Sequence, residues 1–444
     1  MTPLASLALV VAAFLTWKLP RRLAICPLLA MTCLVTLGQQ IVVAGFHLYL
    51  FRVLLLVGIA RVVIKGEAVR LKMTMVDRLF VAWALVMLFW GVWAEPTTSY
   101  LQYKTGACFD ALGCYLFIRC VIVDLDDAVV AVRTLAFLSM PVAILMIIEH
   151  FTSHNLLSVF GGVSATTIVR GDRLRSQGAF RHPILAGTFG ATQAAIFVGL
   201  WFYNRKYRML AVISIVSAVG IVVTSASGGP LLSLLVAIGG WALWKWRNHM
   251  RSVRWAAALT FIGLTMVMNA PPWYILTKLG NLTGGTGWHR AWLISQFISH
   301  FDQWCLFGTS YTANWAPDGL VLAVDPANMD ITNQYVAEGI HGGILELILF
   351  MAIIVQCFKN VGRRVHAEVE HSLGVAMFVW ALGVSLFVHC ISLISITYFD
   401  QSVNLWYFLL AVIAAVPSWQ IRKVESQASQ MTDAGDGARI ASAV

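Results

Sequence analysis

The sequence predicts an all-α polytopic membrane protein of about 12–13 transmembrane helices, with a large periplasmic loop carrying short helices. Three observations lead there. Of 444 residues, 59% are hydrophobic and only 12% are charged, with a mean hydropathy of +0.77, whereas a soluble domain carries roughly 25% charged residues. Apolar runs long enough to cross ~30 Å of hydrocarbon recur along the chain. Basic residues fall at alternate boundaries between those runs. The composition excludes an ordinary soluble enzyme and a disordered chain. The net charge of +10 reads as an orientation signal, with a lipid bilayer and no nucleic acid as the partner it implies.

Taken in order, an N-terminal group over 1–150 holds spans at 3–18, 23–43, 47–64, 78–94, 106–123 and 128–150. Residues 1–17 lack a basic n-region and a cleavage site, so they read as a retained span. An arginine-rich external loop fills 151–182. Central spans at 183–203, 209–224, 229–246 and 255–270 make up 183–270, and a large external loop follows over 271–339. The C-terminal group, 340–419, has spans at 340–358, 372–394 and 402–419, and the polar tail 420–444 reads as disordered. No internal repeat is visible, which weighs against an inverted-repeat transporter. The cysteines lie mostly in apolar stretches without metal-binding spacing, so neither a disulfide nor a structural zinc is expected.

Lys18, Arg21 and Arg22, then Arg61 to Arg78, Arg119, Arg133, Arg205 to Arg208, Lys245 to Arg254, Lys359 to Arg364, Arg422 and Lys423 collect on one side. That side is expected to be cytoplasmic, with the C-terminus inside and, for thirteen spans, the N-terminus outside. Both long loops then face outward. An outward loop should be poor in arginine, yet Arg170, Arg173, Arg175 and Arg181 crowd into one of them. A local conflict of this kind marks a place where function is expected.

Four guanidiniums just before a span suit an anionic, membrane-borne group, because arginine donates a planar bidentate fork and keeps its charge. Gly171 and Gly178 allow turns there, and Pro183 starts the next helix with His182 near its positive end. Arg52, inside a span, is either functional or snorkels to the headgroups. In the second loop, Gly284-Gly285-Thr286-Gly287 precedes His289 and Arg290, a possible acid/base group and a charge stabiliser. Trp292, Leu293, Phe297, Ile298 and Phe301 at helical spacing suggest an amphipathic helix on the membrane surface. Asp330, Glu338 and His341 are candidate proton acceptors; a helix start capped by Asp330 or Thr332 is the structural alternative. Glu346, inside a span, should face the interior. Thr224 to Pro230 reads as a tight interhelical turn.

The order of these elements resembles the O-antigen ligase/O-antigen polymerase family of bacterial inner-membrane glycosyltransferases. The resemblance rests on Arg175-Ser176-Gln177-Gly178-Ala179-Phe180-Arg181-His182-Pro183, Thr224 to Gly229, His289-Arg290-Ala291-Trp292, Leu306-Phe307-Gly308-Thr309 and Asn333 to Gly343. It covers about residues 160–350; the flanking spans match only in hydropathy. It implies transfer of a glycan from an undecaprenyl-pyrophosphate-linked donor to a glycan or lipid acceptor hydroxyl at the periplasmic face, with no cofactor and no metal. It also implies that Arg175 or its neighbours, Arg173 and Arg181, meet the pyrophosphate together with Arg290; Arg52 is a further candidate. Thr332 stands where many ligases have histidine, and Gly228 where many have arginine. The base is then His341, His289, His182 or Asp330, or no strong base is needed. Arginines can stabilise the leaving pyrophosphate without a metal, and attack from the opposite face would invert the sugar. The rival reading is a transporter of an anionic solute or lipid-linked glycan.

Overall fold

The computed structural model describes residues 2–43, 46–90, 93, 95–283, 287–316 and 329–420. The polar tail and the Gly284–Thr286 run lie outside them. The helices are α1 (Pro3–Lys18), α2 (Cys26–Leu34), α3 (Leu50–Ile64), α4 (Met75–Phe89), α5 (Thr98–Val121), α6 (Leu125–Thr152), α7 (Pro183–Tyr203), α8 (Arg208–Thr224), α9 (Gly228–Ala242), α10 (Met250–Val267), α11 (Ile275–Thr283), α12 (Gly287–Ser299), α13 (Phe301–Trp304), α14 (Gln334–Glu368), α15 (Leu373–Ser392) and α16 (Gln401–Ala415). Two antiparallel hairpins interrupt them: β1 (Gln40–Val43) with β2 (Phe46–Tyr49), and β3 (Ile168–Arg170) with β4 (Arg173–Arg175). Among the described residues, seven helical stretches are long and apolar enough to cross a bilayer. The chain is therefore an all-α, multi-pass membrane protein.

Local sequence explains the helix starts. Thr74 with Asp77, and Asp124 with Asp127, form reciprocal capping boxes on α4 and α6. His182 caps α7, with Pro183 at its first position. The expected helix over 23–43 is a correction. It stops at Leu34, and β1 begins at Gln40. The β-branched run Ile41-Val42-Val43 favours strand. Just before it, the Thr36 and Gln39 side chains donate to the carbonyls of Gly161 and Phe160, which holds the segment extended against the 151–182 loop.

That loop and the described residues between 268 and 333 sit at one end of the bundle, the loop end. Thr2 also lies there, bonded to Gln39 and Phe160. At the opposite end, Trp419 accepts from Arg364 near the close of α14. Between residues 2 and 419 the chain thus crosses an odd number of times. The expected surface helix is present as α12, but it does not simply lie on a membrane. Leu293 packs with Trp304, Trp315, Met329, Val336 and Ile340 in a small core of its own, capping the start of α14, while Ile298 and Phe301 stay exposed. Asn333, not Asp330 or Thr332, caps α14, its side chain accepting from the Tyr335 and Val336 amides.

Candidate functional site

The arginine loop is a rigid platform. Buried Glu149, near the end of α6, accepts from the amides of Gln177 (3.1 Å) and Gly178 (2.8 Å). Asn155 donates to the Gly178 carbonyl and Gln401 to that of Ala179, and the Ser176 amide donates to the Thr224 carbonyl. Gly178 has a φ of +58° and backs onto Met146, a conformation and a spacing that leave no room for a side chain. Before this platform, Gly171 (φ 52°) and Asp172 (φ 56°) make the two-residue turn joining β3 to β4. Positive φ at both positions matches the strand twist. The register pairs Arg170 with Arg173.

Arg175 leaves the hairpin and turns inward, 6% exposed, its Nη2 donating to Ser227 Oγ at 2.7 Å in the turn before α9. Arg290, on α12, comes from the other loop to within electrostatic reach of Arg170. Burial, and then the charge of Arg170, lower the pKa of both Arg175 and Arg290. Arg170 is thus the hub on which two loops, far apart in sequence, converge. Among the described residues, no carboxylate lies within ion-pair distance of Arg170, Arg173, Arg175 or Arg290, and Asp172 pairs with none of them. The buried Nε atoms of Arg175 and Arg290 have no hydrogen-bond partner, nor does Ser176 Oγ. Repelling cations with open donors have the chemistry to take up an anion bearing several oxygens.

His182 borders this cluster. Its Nδ1 accepts from the Ile184 amide at 3.2 Å, and burial, followed by the charges of Arg175 and Arg170, pushes its pKa down to about 4. It is a neutral imidazole whose Nε2 carries the proton, which suits a donor better than a base. Arg181 points away, 63% exposed, 3.6 Å from Asp400. Arg173 stands exposed on the hairpin.

His289, beside Arg290, is buried between Trp288 and Trp292, with ring centroids 5.8 and 6.0 Å away. Its Nε2 lies 3.0 Å from the backbone carbonyl of Asp330. A carbonyl only accepts, so Nε2 carries the proton, and Nδ1 keeps a buried lone pair without a partner. Asp330 contributes this carbonyl, and its side chain is exposed.

His341 and Arg52 belong elsewhere. His341 lies just before a break in α14, where Gly342 (φ −154°, ψ 21°) and Gly343 (φ 71°, ψ −168°) leave helical geometry. The freed groups are satisfied by the Cys305–Thr309 segment: Thr309 N donates to Ile340 O, and Ile344 N to Cys305 O. A Cβ on Gly343 would fall 2.2 Å from Leu306 O, and one on Gly308 2.1 Å from Ile340 O. The Leu-Phe-Gly-Thr and Gly-Gly motifs are therefore two halves of one backbone joint. His341 stands exposed beside the break. Arg52 bonds Asp110 through Nε (2.8 Å) and Nη2 (2.7 Å), a pairing that accounts for an arginine inside a span without a ligand.

Of the residues picked from sequence, Arg175, Arg290 and His182 come together, and His289 adjoins them. Sequence reasoning passed over Glu149 as the anchor and Arg170 as the hub. A Gly-Asp pair between two short β-favouring runs is the signal that sets Arg170 across from Arg173. A comparison with protein-family models finds no match, and neither does one with curated proteins.

Proposed function

We propose that this protein is a membrane glycosyltransferase that moves a glycan from an undecaprenyl-pyrophosphate carrier to an acceptor hydroxyl, as a polysaccharide polymerase or an O-antigen-ligase-like enzyme. The observation that carries this reading is the convergence of Arg170, Arg175 and Arg290 without a carboxylate. On this reading the guanidiniums bind the diphosphate and hold the charge that grows as the anomeric C–O bond breaks. The acceptor oxygen attacks the anomeric carbon from the other face, with inversion. Its proton passes to His289 Nδ1, the candidate base whose geometry suits the task best. The carrier leaves as the free pyrophosphate.

The concentration of basic residues at the opposite end supports a bacterial inner-membrane location with the loop end periplasmic and the C-terminus cytoplasmic. Transport of a lipid-linked glycan or anionic solute is the second reading; the broken helix α14 favours it, since transporters build sites on interrupted helices. One experiment separates the two. Purified protein in proteoliposomes receives a synthetic undecaprenyl-pyrophosphate glycan and an acceptor, without ATP. Acceptor-dependent release of the carrier pyrophosphate is expected. Glycan crossing the bilayer with no carrier released would overturn the enzyme reading in favour of the transporter.

A further inference from the structure

A second group of ionisable side chains lies beneath the break in α14, apart from the arginine cluster. Glu338, Glu346 and Lys104 are each no more than 3% exposed. Glu338 Oε1 accepts from Gln334 Nε2 and Oε2 from Trp83 Nε1, both at 2.8 Å. Glu338 and Glu346 flank the break, within electrostatic reach of each other and of Lys104. The second oxygen of Glu346, Oε2, is buried without a partner and packs against Gly342, where a Cβ would fall on it. Lys104 Nζ donates to the His341 carbonyl at 3.0 Å and lies over the Tyr100 ring. Tyr100 and Tyr103 of α5 and Tyr407 of α16 lie within electrostatic reach of the carboxyls. The nearby Arg52 is committed to Asp110.

Charge sets the proton count. With both ionised, the two carboxylates outnumber Lys104 by one in a water-poor interior, a costly state. One proton makes the three groups neutral. We propose that Glu338 and Glu346 are a proton-binding site that holds a single proton between them, matched to Lys104 at the joint of α14. The proton comes from solvent. Its loss would set two like charges in contact beside Gly342 and Gly343, so the site reports protonation directly to the broken turn.

Infrared spectroscopy of the full chain in nanodiscs at neutral pH tests this. The expected result is a protonated-carboxyl C=O band that shifts on glutamate-selective 13C labelling. Either E338Q or E346Q should remove it, because the remaining carboxylate is then balanced by Lys104 and ionises. K104M should enlarge it about twofold as the pair takes up a second proton. The labelled wild-type spectrum stands even if a variant fails to fold: no glutamic-acid band at neutral pH would overturn the proposal. A band that survives in E338Q would overturn the sharing.

Discussion

The guanidiniums of this protein divide into two populations. The fully buried ones at the opposite end each have a carboxylate, Arg61 with Glu67 at 2.8 Å, Arg119 with Asp77 at 2.7 Å and Arg364 with Glu368 at 2.6 Å, and half-buried Arg21 has Asp127 at 2.5 Å, whereas half-buried Arg133 and Arg247 lie over the Tyr207 and Trp244 rings. Arg52 follows the same rule with Asp110. At the loop end, Arg170, Arg173, Arg175 and Arg290 have none among the described residues, although Arg175 is almost fully buried. An unpaired buried charge is expensive, and Arg175 is the fully buried arginine left without a carboxylate. Paired arginines hold helices together; on the proposed reading Arg175 and its neighbours wait for an anion.

Breaking a paired arginine should have the largest effect on the fold. Arg119→Ala leaves Asp77 buried without its cation, held only by Tyr115 and Thr74, at a cost of about 3–5 kcal/mol, read as a fall in the thermal midpoint of the purified protein. Arg175→Ala should change stability by less than about 1 kcal/mol, because the lost hydrogen bond to Ser227 is offset by relieved repulsion. If the two variants lost the same stability, the contrast between the populations would fail. Function should show the reverse pattern. Arg290→Ala should lower carrier release by about 10²–10³-fold at an unchanged thermal midpoint, and Arg290→Lys should recover only part of it, since the planar fork is lost.

Gly343→Ala should sharpen the comparison from the structural side. The positive φ alone costs about 1–2 kcal/mol in an L residue, and the clash with Leu306 O adds to it; thermal unfolding reads the sum. The smallest effect concerns pH. His182 is neutral in the fold down to about 4 but protonates near 6.5 when unfolded, so its contribution to stability is present above 6.5 and is lost as pH falls towards 4. Diphosphate binding should be flat between pH 6 and 8 in both wild type and His182→Gln. Only the wild type should gain affinity as the pH approaches 4, measured by titration calorimetry.

Much of this was legible in the sequence, for identifiable reasons. Hydropathy exposes helices because lipid tolerates few charges, and an arginine run stands out against a loop that should lack it. What the sequence hides is convergence. Arg290 lies more than a hundred residues beyond Arg175, and only the packing of α12 over the start of α14 brings it near Arg170. Glu149 sits in an apolar helix with no motif around it, and its role as an anchor depends on two amides supplied by the next loop. The segment after Leu34 has enough hydropathy for a span, yet its β-branched residues and the carbonyls of the neighbouring loop make it a hairpin. The Leu306–Thr309 and Gly342–Gly343 motifs are plain in the sequence, but their shared purpose is visible only in the backbone bonds between them.

The central claim is that the loop-end arginines hold a lipid-borne diphosphate. The most direct measurement is the binding of a polyprenyl pyrophosphate, carrying no glycan, to the protein in nanodiscs, with wild type, Arg175→Ala, Arg290→Ala and Arg119→Lys compared. Saturable binding that is lost in the two loop-end variants and kept in Arg119→Lys is the expected result. Equal binding by all four would contradict the account.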